Sequence, residues 1–292
     1  MQTVTTELLE IGVEIGGPED GQPILLLHGW PDDVRTWCGV APRLQAAGWR
    51  TITPYLRGFG PTRFRSDQTI RDGRGVALTQ DAIDLADALG LDTFAVAGHD
   101  WGARSAYFLA ALFPERVTRI AVLSVAFAPR GAFGTPPFSQ ARLYWYQWFM
   151  TTDGGARAVR DDPIGFARIQ WDTWSPPGWF DEAEFAATAR SFENPDWVDI
   201  TLHSYRSRWQ PEPSDPRYDD LQQRLASVES LSTPTLMIHG GADTCVEPSI
   251  SEGLDRYFTD GYRRLVLDGV GHFPSREAPD AVADAVLEHL EQ

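Results

Sequence analysis

The stretch AVAGHDWGAR, from Ala95 to Arg104, places a carboxylate on a tight turn between two glycines. An apolar run predicted as a strand ends at Gly98, Asp100 occupies the centre of Gly-x-Asp-x-Gly, and a predicted helix follows. Small residues are needed there because so sharp a turn brings neighbouring backbone very close. The turn aims the central side chain out of the sheet, together with the next backbone N–H and the positive end of the helix.

The residue type at the centre of this turn indicates alkyl transfer. A carboxylate, with an ordinary pKa near ~3.9, is already ionised at neutral pH and can attack a saturated electrophilic carbon without losing a proton. It is a poor nucleophile toward amides and esters. The product would be an ester on Asp100, which water must then break. The alternative interpretation of Asp100 is a helix-capping carboxylate.

Three motifs together resemble those of the α/β-hydrolase superfamily, and within it the epoxide hydrolases and haloalkane dehalogenases that use an aspartate nucleophile. They are GHDWG at 98–102, HGWP at 28–31 and RGFG at 57–60. The resemblance spans nearly the whole chain. It implies an α/β-hydrolase fold with a mostly parallel central sheet flanked by helices, and with an inserted helical cap.

The resemblance also implies two partners for Asp100. His272, in GVGHFP after the last predicted strand, matches the position of the catalytic histidine of the family, and a neutral imidazole suits general-base work. A carboxylate must orient that histidine and stabilise its charged form. The run at 121–128 offers none, whereas MIHGGAD ends in Asp243, which we choose, with Glu247 as the fallback.

The family holds the oxyanion of its ester intermediate with two backbone N–H groups. The matching residues here are Trp101, directly after the nucleophile, and Trp30, the variable residue of HGWP. The resemblance also implies a cis peptide bond before Pro31.

The leaving group distinguishes the two enzyme classes, because an alkoxide needs an acidic O–H donor and a halide needs weak N–H donors. Tyr146-Gln147 and Tyr205-Arg206 resemble the motifs of the two cap tyrosines with which epoxide hydrolases hold the epoxide oxygen. A phenol, with a pKa near ~10, is a suitable directional donor. Both tyrosines could instead be aromatic fillers of the cap, and Tyr144 could replace Tyr146 if the helix is rotated.

Release of halide from a haloalkane or haloacid by the same triad is the alternative function. Trp101 follows the nucleophile as in dehalogenases, but Trp30 occupies a position where many of them have asparagine. Arg104 resembles a carboxylate-binding arginine of fluoroacetate dehalogenases and would indicate a carboxylate-bearing substrate if it faced the pocket, although we favour a surface salt bridge. A ligand receptor is a third class, which the complete triad disfavours. The side chains expected to contact substrate are Trp101, Trp148, Tyr144 and Arg104.

The elements that must position these residues alternate along the chain. Apolar β-rich runs separated by helical patterns occur at 23–30, 49–58, 93–100, 119–128, 233–243 and 262–272. This alternation is typical of a parallel sheet covered on both faces. The stretch between the runs at 119–128 and 233–243 contains no such β-rich run, and it holds seven of the eleven tryptophans. We therefore interpret 129–228 as a helical cap, and 1–128 with 229–292 as the core.

The composition narrows the function further. The chain of 292 residues has a net charge of −16, which disfavours binding to nucleic acid or to anionic membranes. All 25 basic residues are arginine, so Schiff-base and P-loop lysines are excluded. Cys38 and Cys245 are too few for a metal cluster or a disulfide framework. The sequence predicts a cytoplasmic, cofactor-free and metal-free hydrolase acting on ether bonds, a monomer or weak homodimer, that opens an apolar or aromatic epoxide to a diol.

Overall fold

Nine strands form one sheet in the computed structural model of the protein, which describes residues 1–292. The strands are β1 (Gln2–Thr5), β2 (Leu9–Gly16), β3 (Gln22–Leu27), β4 (Trp49–Pro54), β5 (Arg63–Phe64), β6 (Phe94–His99), β7 (Val117–Leu123), β8 (Thr235–Gly240) and β9 (Tyr262–Leu267). Their order is β1-β2-β4-β3-β6-β7-β8-β9, with β5 paired to β2. All neighbours from β4 to β9 in this order run parallel, whereas β2 is antiparallel to its three partners. The predicted mostly parallel sheet is confirmed.

Helices cover both faces of this sheet. They are α1 (Ala41–Ala46), α2 (Gly75–Ala88), α3 (Trp101–Leu112), α4 (Phe138–Leu143), α5 (Trp145–Thr151), α6 (Asp153–Asp161), α7 (Pro163–Thr173), α8 (Glu182–Ala189), α9 (Trp197–Arg206), α10 (Asp219–Leu225), α11 (Pro274–Glu277) and α12 (Pro279–Leu290). Alternate residues of a strand point to opposite faces, so Val96 of β6 packs in the core that contains α2 and α3. Its neighbours Ala95 and Ala97 pack in the core that contains α1 and α12.

The chain leaves the sheet after Leu123 and returns to it at Thr235, and helices α4–α10 all lie between these two points. Large aromatic side chains fill the interior of this segment, and Trp171, Trp174 and Trp197 are fully buried. Aromatic side chains supply much apolar area each, which lets short helices form a core. None of the helices in the chain combines the length and the apolarity needed to cross a bilayer.

The first two strands are absent from the sequence prediction, although β2 carries a signal for them. Its residues Leu9, Ile11 and Val13 are buried and alternate with smaller or polar residues, which is the period of a half-buried strand. Conversely, the predicted runs at 23–30 and 119–128 extend past the strands that form there. The extensions contain Trp30, Val125 and Phe127, which are buried after the carboxyl ends of the strands rather than paired in the sheet.

The turn between β6 and α3 is held by close backbone contacts. A Cβ at Gly102 would overlap the carbonyl oxygen of Leu27, and a Cβ at Gly98 would overlap the carbonyl of Gly102. Asp100 has a φ of 48° and a ψ of −108°, a backbone conformation that residues other than glycine rarely adopt. Such a residue costs about 1–3 kcal/mol and persists only where its surroundings enforce it.

We predict that Gly102→Ala lowers the free energy of unfolding by about 1–3 kcal/mol, because the new methyl group forces α3 away from β3. The matched control is Gly154→Ala in α6, where a Cβ meets nothing within 4 Å. That substitution raises helix propensity by up to about 1 kcal/mol. Urea denaturation followed by circular dichroism measures both variants, and equal stability of the two would contradict the close approach of α3 to β3.

Candidate active site

The carboxylate of Asp100 lies where the carboxyl ends of β3 and β6 meet. These strands pair in parallel, so the loop after β3 passes directly beside the turn after β6. The backbone N–H of Trp30 donates to Oδ1 of Asp100 at 2.8 Å. Trp101 is the first residue of α3, so its backbone N–H has no acceptor within the helix. One of the two predicted oxyanion donors thus binds the carboxylate, and the other directly follows Asp100 in the chain; the peptide bond between Trp30 and Pro31 is cis.

His272 bridges Asp100 and Asp243. Its Nδ1 lies 2.8 Å from Oδ2 of Asp243, and its Nε2 lies 3.8 Å from Oδ2 of Asp100. The backbone N–H groups of Cys245 and Val246 donate to the other oxygen of Asp243 at 2.7 and 2.9 Å. The structure thus brings the three predicted triad residues together in a buried relay.

Charge coupling sets the protonation of this relay. Burial alone would lower the pKa of His272, but the negative charges of Asp243 and Asp100 outweigh burial and raise it to about 10. Burial would raise the pKa of Asp100, yet the positive charge of His272 and the hydrogen bond from the backbone N–H of Trp30 hold it below its usual value. Asp243 behaves likewise, and its pKa falls to about 2. The expectation of a neutral imidazole therefore needs correction, because two carboxylates keep His272 protonated in the resting protein.

The two predicted tyrosines are buried side by side above this relay. Their ring centroids lie 5.3 Å apart, and both rings pack on the indole of Trp30, at 5.7 Å for Tyr146 and 5.0 Å for Tyr205. Burial raises the pKa of each phenol well above its usual range, so both hydroxyls keep their protons at neutral pH.

Each phenol oxygen accepts a hydrogen bond from an N–H group. Gln147 Nε2 donates to Tyr146 at 3.0 Å, and Trp101 Nε1 donates to Tyr205 at 3.2 Å. Since each phenol oxygen is the acceptor in these bonds, its own hydrogen can be donated to another group. The indole N–H of Trp101, by contrast, is occupied by its bond to Tyr205.

A cavity of about 280 Å³ opens at Asp100. Tyr144, Tyr146 and Arg104 lie in its wall, whereas Trp101 lines a neighbouring cavity of about 320 Å³. Both cavities share Arg104, which lies over the ring of Phe133 at 4.2 Å and forms no salt bridge. The surface salt bridge favoured for Arg104 is therefore wrong, because this side chain turns into the cavity.

Trp148 is a second correction among the predicted contacts, since it does not line the cavity at Asp100. The predicted helix at 141–150 is broken at Tyr144, so that α4 and α5 present different faces. Trp148 instead packs on Trp209 at 4.2 Å and donates its N–H to the carbonyl of Ala141. The fallback Glu247 accepts a hydrogen bond from Ser139 and is not a partner of His272.

Several site residues carry no distinctive sequence signal. Gln147 orients Tyr146, and Thr201 accepts the indole N–H of Trp30 at 3.0 Å. Arg208 lies 4.3 Å above the ring of Tyr205. His239 approaches Asp243 to 3.4 Å from the buried end of β8. The only signal for Gln147 is its position after a predicted tyrosine. The sequence does not show whether Thr201, Arg208 and His239 face the site.

Comparisons with known proteins agree with this geometry. Residues 22–279 match the family model of the alpha/beta hydrolase fold. The chain belongs to the α/β hydrolase family. Among its relatives in this family, the crystal structure of a candidate epoxide hydrolase from Klebsiella pneumoniae is 38% identical, with a TM-score of 0.93, over 100% of this chain and 97% of that one.

Two curated relatives come from Mycobacterium tuberculosis. Epoxide hydrolase A is 27% identical over 95% of this chain and 92% of its own length. Epoxide hydrolase B is 32% identical over 51% of this chain, and the match spans 45% of its length. This α/β hydrolase is thus similar to proteins named epoxide hydrolases along nearly its entire length.

We predict that Asp100→Asn lowers the pKa of His272 from about 10 toward its ordinary value, because it removes one of the two negative charges that raise it. The imidazolium should then lose its proton at a lower pH than in the unmodified protein. Nitrogen-15 NMR of the labelled histidine rings across a pH titration measures this shift. Asp67→Asn, at an exposed carboxylate, is the control, and a His272 pKa that does not move in Asp100→Asn would show that Asp100 does not govern it.

Proposed function

We propose that this α/β hydrolase is an epoxide hydrolase, which converts an apolar or aromatic epoxide and water into a vicinal diol through an ester on Asp100. One observation carries the proposal. A buried Asp243–His272–Asp100 relay lies below two tyrosine hydroxyls whose oxygens already accept N–H bonds. The similarity to proteins named epoxide hydrolases supports the same reaction.

The first step is attack by Asp100 on a ring carbon. Oδ1 is held by the N–H of Trp30, which leaves Oδ2 as the nucleophile. The bond between this carbon and the epoxide oxygen breaks as the new ester bond forms. Tyr146 and Tyr205 donate to the departing oxygen, and one of them gives its proton to the alkoxide. Because each oxygen already accepts an N–H bond, its own hydrogen is left to donate to the epoxide oxygen.

The second step is hydrolysis of the ester by a water that His272 activates. Alkylation neutralises Asp100 and removes one of the two charges that hold the imidazole protonated, so the pKa of His272 falls and Nε2 becomes a base. Nε2 has no hydrogen-bond partner in the protein, which leaves it available to a water. The proton that the imidazolium gives up replaces the one that the tyrosine gave to the alkoxide. Water then gives a proton to Nε2 as its oxygen adds to the side-chain carbonyl carbon, and the backbone N–H groups of Trp30 and Trp101 stabilise the oxyanion. The bond between this carbon and the alkyl oxygen breaks, His272 protonates the leaving oxygen, and the diol leaves Asp100 as a free carboxyl group, which returns its proton to His272.

The proposal includes residues 129–228 as a cap over a core made of 1–128 and 229–292. Aromatic groups from this segment lie directly over the relay, which supports that division. Trp174 packs edge-on against His272 at 4.9 Å, and Trp171 donates its N–H to the carbonyl of Pro31 at 2.7 Å. A small molecule is the expected partner, while a homodimer and a cytoplasmic location stay predictions of the sequence.

Dehalogenation is the competing proposal, and it has less support. A halide would need free indole N–H donors beside Asp100. The indole N–H of Trp101 donates to the hydroxyl of Tyr205, and the indole N–H of Trp30 donates to the hydroxyl of Thr201. Both donors would have to break existing hydrogen bonds before they could hold a halide.

We predict that the protein forms diols from a panel of epoxides and that the double variant Tyr146→Phe and Tyr205→Phe lowers kcat for diol formation by about 10²–10⁴-fold. Tyr205→Phe alone should slow epoxide opening more than any halide release. Tyr257→Phe, at a tyrosine whose hydroxyl contacts Arg256, is the matched control. Gas chromatography of the diols, beside a halide assay on haloalkanes, gives both rates. Halide release without diol formation would assign a dehalogenase instead.

A further inference from the structure

Two arginines without acidic partners share the wall of the cavity at Asp100. Arg104 lies one turn into α3, where its backbone N–H donates to the carbonyl of Asp100 at 3.0 Å. Arg208 follows α9, the helix that carries Tyr205. The two guanidinium groups lie over one ring, that of Phe133, at 4.2 Å and 4.8 Å from its centroid.

This chain has a net charge of −16 and most of its arginines form salt bridges, but neither Arg104 nor Arg208 does. Glu212 lines the neighbouring cavity with both arginines, but it binds Arg206 Nε at 2.8 Å. The only side-chain bond of Arg208 is a long one to Ser204 Oγ, at 3.4 Å. In the wall of the cavity at Asp100, Asp100 itself is the only carboxylate beside the pair, and it forms no salt bridge with either arginine.

Two partly buried cations side by side repel each other, and such an arrangement is costly unless an anion joins it. Burial and the charge of Arg208 lower the pKa of Arg104 to about 10, which leaves it protonated at neutral pH. The remaining wall of the cavity at Asp100 is largely apolar and aromatic and includes Val125, Phe127 and Trp209. The cavity therefore has an apolar body, a nucleophile and a separate cationic position.

We propose that the epoxide substrate carries a carboxylate, which Arg104 and Arg208 bind while its apolar body fills the cavity and its ring carbon lies at Asp100. Guanidinium groups bind carboxylates through paired, charge-assisted N–H···O bonds. This inference rests on the proposed function and adds a substrate class to it. A neutral epoxide would leave the two cations unpaired, so the pair selects for the acid.

The test uses a series of terminal epoxyalkanoic acids of increasing chain length, each beside its primary amide. For the best chain length, the unmodified enzyme should favour the acid in kcat/KM by about tenfold or more. In Arg104→Met and in Arg208→Met, the ratio of acid to amide should fall on the order of tenfold to hundredfold, mainly through KM. Arg157→Met, at an exposed arginine of α6, should keep the ratio.

Arg208 also packs on Tyr205, so it could act on the reaction through that tyrosine. Comparison of kcat and KM for the acid and the amide separates this role from binding of the carboxylate. A loss in kcat that is equal for acid and amide in Arg208→Met would show that Arg208 acts through the tyrosine, which overturns its role as an anion ligand. Equal kcat/KM for acid and amide in the unmodified enzyme would overturn the substrate class while leaving the epoxide hydrolase proposal intact.

A binding measurement separates failure of the inference from failure of the proposed function. Calorimetry with unreactive 4-phenylbutanoate and 4-phenylbutanamide should show tighter binding of the acid, and the double variant Arg104→Met and Arg208→Met should lose that preference. If this holds while no epoxide is hydrolysed, the anion site stands and the proposed reaction is wrong. Equal binding of acid and amide would overturn the anion site itself.

Discussion

The position of one carboxylate in a buried turn is the constraint on which the rest of the structure depends. Glycines on either side of Asp100 let α3 approach the end of β3 so closely that added side-chain atoms would overlap backbone. This approach brings the N–H of Trp30 within 2.8 Å of one carboxylate oxygen and leaves the other 3.8 Å from His272. The site therefore holds Asp100 ionised despite its burial, with one oxygen bound and the other available for attack.

The same charges explain how one histidine can serve two steps with opposite needs. While Asp100 is ionised, His272 is held as an imidazolium, which stabilises the nucleophile. Once Asp100 is an ester, only Asp243 remains to raise the pKa of the imidazole, and the ring can accept a proton from water. Attack at Asp100 thus prepares the base for hydrolysis, and the order of the two steps follows from electrostatics without movement of the backbone.

The sequence predicts the sheet and the triad well, because GHDWG and HGWP concentrate strict backbone requirements into short strings. It misses β2 even though Leu9, Ile11 and Val13 alternate, since an antiparallel strand differs from the parallel pattern that follows. Contacts from the segment between β7 and β8 are less predictable. The break between α4 and α5 at Tyr144 turns Trp148 away from the cavity, and no local pattern shows that Arg104 and Arg208 meet at one ring.

The central claim is that an oxygen of Asp100 bonds to carbon and passes into the product. A single turnover with enzyme in excess, carried out in oxygen-18 water, tests it most directly. The account predicts that the diol from this first turnover contains no heavy oxygen and that the label appears in the peptide carrying Asp100. Heavy oxygen in the first diol, with none in that peptide, would mean that water attacks the substrate itself and would contradict the account.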